Sequence, residues 1–345
     1  MPWTDIFKGK SRDTAADPRI RWFGKLPTYA DYYSSRNDED WAVEFNDWIM
    51  KGYQFYHAQS RAHSADGQEG TRAGDAPRRM PISTCIIRMP KSQMTVFATI
   101  QDYGGDMRGR PFPVCFYVGV PTSQWSGPPS ELMMAAERAL TDLVALRDQV
   151  TRFCNAPGNF ESLFADREVA IEDINGATRD TAWPQEAAKL LLAEWFDGAK
   201  NGLKVQDPAT WYRLLASWGR SIAEQDPASF QPTLRFPLAI RLPIDVQLAG
   251  WLRWLESRMD LVRRPVSLVV SGRRKDNVGD VTVIAREVIA DDFLLMTPLW
   301  SVLSYVDDAA GLVETAGSAA QDQGQSGPAD ALAEATATWA DLVAS

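Results

Sequence analysis

One stretch of the chain, residues 22–36, reads W-F-G-K-L-P-T-Y-A-D-Y-Y-S-S-R. Gly24 allows a sharp backbone bend, and Pro27 biases the residue before it towards an extended backbone, so the stretch predicts a strand end that enters a structured loop. Asp31 follows among tyrosines, and we expect its carboxylate to make specific hydrogen bonds. The stretch does not fit a P-loop, because Lys25 is followed by Leu-Pro where that motif requires Ser or Thr.

A second stretch, residues 102–113, reads D-Y-G-G-D-M-R-G-R-P-F-P. Its glycines and its two charges of each sign predict a tight turn. We expect Asp106 to pair there with a nearby guanidinium, since arginine offers a planar fork that matches a carboxylate.

The two stretches together resemble the motifs of the TagF family, accessory proteins of bacterial type VI secretion. The first family motif is an aromatic residue, G-K-L-P, G-D-F and an S-R pair, matched here by Phe23, Gly24, Lys25, Leu26, Pro27, Asp31, Tyr32, Ser35 and Arg36. The second is D-x-x-G-R-x-F-P-L, matched by Asp106, Gly109, Arg110, Phe112, Pro113 and Val114. Ala30 stands where the family has glycine, which tolerates a positive φ better than alanine does. The motifs cover residues 20–120, about a third of the chain.

The resemblance implies a non-enzymatic cytoplasmic regulator without a cofactor, which restrains the secretion apparatus after translation through contacts with proteins such as the forkhead-associated protein Fha. Family members also carry an aromatic-rich helix with a D-x-W-type motif, which Asp47 and Trp48 resemble. The candidate residues for fixing the loops or contacting a partner are Gly24, Lys25, Leu26, Pro27, Asp31, Arg36, Trp48, Asp106, Gly109, Arg110, Phe112 and Pro113.

We picture the two motif loops as one rigid corner, in which Asp31 and Asp106 pair with the region of Arg36 and Arg110. Such a corner either frames the fold or presents a recognition surface. Two alternatives to a repressor stay open: a required structural component of the apparatus, and a phosphohydrolase with a divalent metal at Asp102 and Asp106. An ion-paired turn is the simpler interpretation of the same charges.

The overall composition argues against several classes of function. The 345 residues include 45% hydrophobic and 23% charged residues, close to globular averages. A net charge of −9 argues against nucleic-acid binding, because phosphate neutralisation needs clustered Lys and Arg. We find neither a signal peptide nor a run long enough to span a membrane, and we therefore expect a cytoplasmic protein. The oligomeric state is not predictable from these features.

The cysteines and histidines show no ligand or nucleophile pattern. Cys85, Cys115 and Cys154 are odd in number and lack C-x-x-C spacing, so we expect buried reduced thiols. His57 and His63 lack the accompanying ligands of a zinc site, and we predict no metal there and no Cys–His nucleophile.

The alternation of short strands with helices predicts an α/β protein with a second, smaller α/β domain. The resemblance to the TagF family implies a three-layer α-β-α arrangement around a central mixed or largely antiparallel sheet. The predicted division is an N-terminal arm at 1–18, a first domain at 19–156, a second domain at 157–308, and a flexible linker with a short amphipathic helix at 309–345. Helices are predicted at 41–58, 130–153, 185–196, 208–223 and 245–261, and strands at 82–88, 94–101, 114–120, 233–242, 266–271 and 281–288. The aromatic stripe of the first helix predicts core packing, with a partner-binding face as the alternative.

Overall fold

The computed structural model describes residues 17–35, 39–65, 80, 82–124, 127–153, 208–226, 229–238, 244–271 and 279–309. Strands β1 to β9 of these regions span Asp17–Gly24, Tyr33–Ser34, Ser83–Met89, Met94–Gln101, Val114–Pro121, Thr233–Leu238, Ser267–Ser271, Gly279–Ile284 and Val306–Asp308. Helices α1 to α4 span Asp40–Ala65, Pro129–Phe153, Pro208–Ala223 and Ile244–Glu256. Short 3₁₀ helices span Thr122–Gln124, Ala290–Met296 and Pro298–Val302.

The nine strands form one sheet in the order β2-β1-β5-β4-β3-β7-β8-β6-β9. Neighbouring strands are antiparallel, except that β9 runs parallel to β6. The prediction of a mixed, largely antiparallel sheet is therefore confirmed. The two halves of the chain meet where β3 pairs with β7, with Ser83 opposite Ser271.

Two hydrophobic cores lie on opposite faces of the sheet, which gives the predicted three-layer α/β arrangement. Helices α2, α3 and α4 pack over one face, where Phe116 and Phe236 are fully buried. Helix α1 and the 3₁₀ helices at 290–302 pack over the other, where Tyr117 and Phe293 are fully buried. Because both faces are covered, β5 is buried at every position and reads as a continuous apolar run.

Helix α1 begins at Asp40, where an acidic side chain is favourable beside the positive end of the helix dipole. Trp41, Phe45 and Trp48 follow at helical spacing and are all buried against the sheet and the 3₁₀ helices. The prediction that this aromatic stripe forms core is confirmed. Cys85 and Cys115 are also buried, outside any disulfide, and burial raises the pKa of Cys85 to about 12.

Several predictions concern residues outside the described regions. They are residues 1–16 of the arm predicted at 1–18, the helix at 185–196, the domain boundary at 156/157, Cys154, and residues 310–345 of the predicted linker and tail helix. The end of the arm was predicted wrongly, because β1 already begins at Asp17. The division into two domains stays a prediction. In the described regions, none of the helices combines the length and apolar character needed to cross a membrane.

The alternation of strand direction places two groups of loops at opposite ends of the strands. The loop after β1 and the loop between β4 and β5 lie at one end. The segments before β6, β7 and β9 and the segment after β8 lie at the other end. The two motif stretches therefore share the first end.

Candidate functional site

The carboxylate of Asp106 is the centre of the corner formed by the two motif loops. Its side chain is 0% exposed. Its Oδ1 accepts hydrogen bonds from the backbone N–H groups of Arg108 and Arg110, both at 3.0 Å. Its Oδ2 accepts one from Arg110 Nε at 2.8 Å and lies 3.4 Å from Lys25 Nζ. Both oxygens are thus occupied by donors, two of which belong to cations.

Arg110 joins the two loops. Its Nη2 lies 2.7 Å from Asp106 Oδ2, donates to the carbonyl oxygen of Ala30 at 2.7 Å, and lies 3.4 Å from Asp31 Oδ1. The N–H of Met107 also donates to the Tyr29 carbonyl at 2.8 Å. Loops separated by about eighty residues are therefore held together by a guanidinium and a backbone hydrogen bond.

The hydrogen bonds at the corner shift the pKa values of both charged partners. Burial alone would raise the pKa of Asp106, but donation from the backbone and side chain of Arg110, from Arg108 and from Lys25 outweighs it, so the pKa lies well below its ordinary value. The hydrogen bond to Asp106 in turn raises the pKa of Arg110. Both groups are therefore charged at neutral pH.

Two motif glycines meet backbone requirements of the corner. Gly24 has φ +150°, and a Cβ atom there would lie 2.2 Å from the carbonyl oxygen of Pro113. Gly109 has φ +71° and faces open space. Among the described residues other than glycine, only Gln93 has a positive φ, so Ala30 adopts an ordinary backbone conformation. Replacing the glycine of the family motif with Ala30 is therefore compatible with this loop.

Aromatic side chains of both motif loops pack against each other at the corner. Phe23 stacks on Tyr32 with ring centroids 5.5 Å apart, and Phe112 meets Phe23 edge-on at 5.6 Å. Lys25 Nζ lies 4.6 Å from the centre of the Tyr32 ring, a cation–π contact. Leu26, Phe112 and Pro113 are buried and Pro27 is half-buried, which places these four motif residues in the loop framework.

Trp48 lies on α1 and holds a loop other than the two motif loops. Its side chain is buried in the core, and its indole Nε1 donates to the carbonyl oxygen of Ile289 at 2.8 Å. Arg36 lies outside the described residues, so its predicted pairing is not tested. Arg110 is the arginine that lies beside both Asp31 and Asp106.

The corner also has an exposed side. The side chains of Asp31 and Arg110 are 70% and 43% exposed, and Tyr32 and Met107 are among the exposed large apolar residues. Arginine, tyrosine and methionine are enriched at protein interfaces. The same loops therefore combine a rigid interior with an outer surface of interface-type composition.

The residues of the metal alternative make other contacts. Asp102 Oδ1 accepts the backbone N–H of Gly104 at 2.7 Å. A metal at Asp106 would have to displace donors from Lys25 and Arg110. No group of three or more potential metal ligands occurs within the described regions. His57 packs edge-on against Tyr53.

Sequence reasoning missed a second buried carboxylate, at the opposite end of the strands. Asp292 is 0% exposed and accepts two hydrogen bonds from Arg286, at 2.7 and 2.8 Å. The N–H of Ile289 and the hydroxyl of Tyr305 also donate to it, at 2.8 and 3.1 Å. Its partners come from separate irregular segments, so no short motif marks it.

Comparison with solved structures gives weak, partial similarity only. No family model matches the sequence, and no curated protein matches it. The crystal structure of PA0076 from Pseudomonas aeruginosa PAO1 matches with a TM-score of 0.32 and 16% identity, covering 43% of this chain and 61% of that one, less than two thirds of its length. At these values the match carries no argument about function. The resemblance to the TagF family therefore rests on the motifs of this sequence.

Proposed function

We propose that this protein is a non-enzymatic, cytoplasmic accessory protein of a bacterial type VI secretion system. In this proposal it is a post-translational repressor, which prevents assembly or firing of the apparatus by binding other proteins. The observation that carries this proposal is the convergence of the two TagF-like motifs into one corner around Asp106. Motifs that are about eighty residues apart in sequence contact each other directly, through Lys25 and Arg110. Such convergence is expected if the two motifs serve one purpose.

The chemistry of the corner suits binding better than catalysis. The buried carboxylate is neutralised by Lys25 and Arg110. The outer surface offers Tyr32, Met107 and the edge of the Arg110 guanidinium. These are residue types that anchor protein interfaces, and the forkhead-associated protein Fha is the partner implied by the motif resemblance.

Secretion assays test the proposal directly. Deletion of this protein should raise release of the secreted tube protein, and overproduction should abolish it. If deletion abolishes release instead, the protein is a required component of the apparatus and the repressor proposal is wrong.

Surface variants test whether the corner is the contact site. Met107→Glu places a charge on the exposed side of the corner without touching the buried ion pairs, and we expect it to relieve repression and weaken capture of Fha. Val43→Glu is the matched control, because Val43 is an exposed residue near the start of α1, at the other end of the strands. Equal effects of the two variants would contradict a contact site at the corner.

A further inference from the structure

A groove of about 950 Å³ lies at the end of the strands opposite the corner. Its walls come from the segment before β7, the segment after β8 and Tyr305 ahead of β9. The residues that matter for its chemistry are Arg263, Arg264, Arg286, Pro265, Ile289 and Tyr305. Three of the lining residues are arginines, in a chain whose net charge is −9.

The three arginines are held to different degrees. Arg286 is fixed by its two hydrogen bonds to Asp292 and lies 5.0 Å from the centre of the Tyr305 ring. Arg264 donates to the carbonyl oxygen of Phe230, and its own carbonyl accepts from Arg88. The side chain of Arg263 is 88% exposed and lies 3.1 Å from Asp260, a pair that solvent weakens. The groove therefore has one rigid, ion-paired arginine in its wall and one exposed, weakly paired arginine at its rim.

The apolar part of the groove is also fixed in place. The N–H of Ile289 donates to Asp292 and its carbonyl accepts from Trp48, both at 2.8 Å, while its side chain is 47% exposed. Tyr305 is oriented by its hydroxyl, which donates to Asp292. A ligand thus meets a preformed apolar wall beside the arginines, which limits the entropy lost on binding.

The acidic residues of the groove select between kinds of anion. Asp260 and Glu287 also line it. A compact polyanion such as a nucleoside triphosphate would bring several charges close to these carboxylates. A peptide can place single carboxylates opposite Arg263 and Arg264 and avoid Asp260 and Glu287. A groove of this volume is also large enough for several side chains.

We infer that this groove binds an acidic peptide segment of a protein partner, with carboxylates at Arg263 and Arg264 and an apolar side chain on Ile289 and Tyr305. Because the chain as a whole carries a net charge of −9, an acidic segment gains electrostatic attraction only where arginines are grouped, as they are here. This site is separate from the corner around Asp106, so either site can fail its test without the other.

The test uses the full-length protein and a fluorescein-labelled short peptide in which Glu and Leu alternate, followed by fluorescence anisotropy. We expect measurable binding that weakens with added salt, and weaker binding of a peptide with Gln in place of Glu. Arg263→Glu should weaken binding about tenfold, while Arg263→Lys, which keeps the charge, should weaken it less. Ile289→Ser should weaken binding of the same peptide through loss of apolar contact.

The control variant is Arg61→Glu, which makes the same charge change on an exposed residue of α1. Arg61 lies about 20 Å along the helix from Trp48, which contacts the groove wall. Equal weakening by Arg61→Glu and Arg263→Glu would overturn the inference. So would tighter binding of ATP than of the Glu-Leu peptide, equal binding of the Gln peptide, or no binding of the Glu-Leu peptide at about 1 mM.

Discussion

Asp106 and Asp292 are both fully buried, and each accepts hydrogen bonds from an arginine and from backbone N–H groups. They differ in how much water reaches the arginine. The side chain of Arg110 is 43% exposed, whereas that of Arg286 is only 14% exposed and binds Asp292 through both of its terminal nitrogens. Water therefore reaches the arginine that pairs with Asp106 but is mostly excluded from the arginine that pairs with Asp292.

The two sites also differ in backbone conformation, and this explains why the sequence pattern identifies Asp106 and not Asp292. The turn around Asp106 contains glycines with positive φ, such as Gly109, so its geometry leaves a residue pattern. The partners of Asp292 stand six residues before it and thirteen after it, in segments without such a requirement. A buried ion pair is visible in sequence only where the backbone around it restricts residue choice.

The largest expected effect is at Asp292. Asp292→Asn leaves Arg286 buried without its counter-charge, and we expect a loss of about 3–5 kcal/mol in the free energy of unfolding, measured by urea denaturation. Asp291→Asn changes the neighbouring, half-buried carboxylate and should cost less than about 0.5 kcal/mol. Similar losses for the two variants would mean that the ion pair of Asp292 with Arg286 contributes no more to stability than the neighbouring carboxylate does.

The next effect separates packing from backbone conformation at the corner. Gly24→Ala places a Cβ 2.2 Å from a backbone oxygen at a positive φ, and we expect a loss of about 3 kcal/mol. Gly109→Ala meets no atom within 4 Å and should cost only the strain of a positive φ, about 1 kcal/mol. Equal losses in thermal or urea unfolding would mean that the close approach of the two loops does not constrain Gly24.

The pH dependence of the free energy of unfolding tests the ion pairs and hydrogen bonds of Asp106. Its folded-state pKa is lowered, so its stabilising effect is fully present above the unfolded-state pKa of about 3.9 and is lost as the pH falls towards the folded-state pKa. The difference in free energy of unfolding between wild type and Asp106→Asn should be constant from pH 7 to about pH 5 and should shrink below about pH 4. A difference that stays constant down to the acid-unfolding limit would contradict the assigned hydrogen bonds.

The smallest expected effect on stability is at Asp31. Its carboxylate is 70% exposed and lies 3.4 Å from Arg110, so Asp31→Asn should change the free energy of unfolding by less than about 0.5 kcal/mol. If the corner binds a partner, the same variant should still weaken that contact in a pull-down with Fha. A stability loss above about 1 kcal/mol would show that Asp31 belongs to the frame of the corner.

Most elements of the fold are visible in the sequence because their apolar periodicity is strong. The predicted strands at 82–88, 94–101 and 114–120 each agree with the structure to within one residue at either end. The strand predicted to reach residue 288 ends at Ile284, since the chain turns there and Arg286 reaches Asp292. The 3₁₀ helices after it were not predicted, because short helices of this kind have no repeating pattern.

The sequence predicts several residues of the corner, but it does not predict which atoms they contact. The motifs identify Lys25, Asp106 and Arg110, and the structure adds which oxygen each donor reaches. Trp48 was singled out by a motif, yet its contact with the Ile289 carbonyl, 241 residues away, has no local signal. Long-range hydrogen bonds to backbone carbonyls are compatible with any residue type at the acceptor.

The sequence by itself determined the α/β class, the aromatic stripe of α1 and the two loops of the corner, because burial and positive φ restrict residue type locally. The tertiary structure alone decided that β3 pairs with β7 and joins both halves in one sheet, and that Arg286, Asp292 and Tyr305 meet beside an arginine-lined groove. Backbone pairing between strands uses groups that every residue carries, and contacts between distant segments depend on the packing of whole elements.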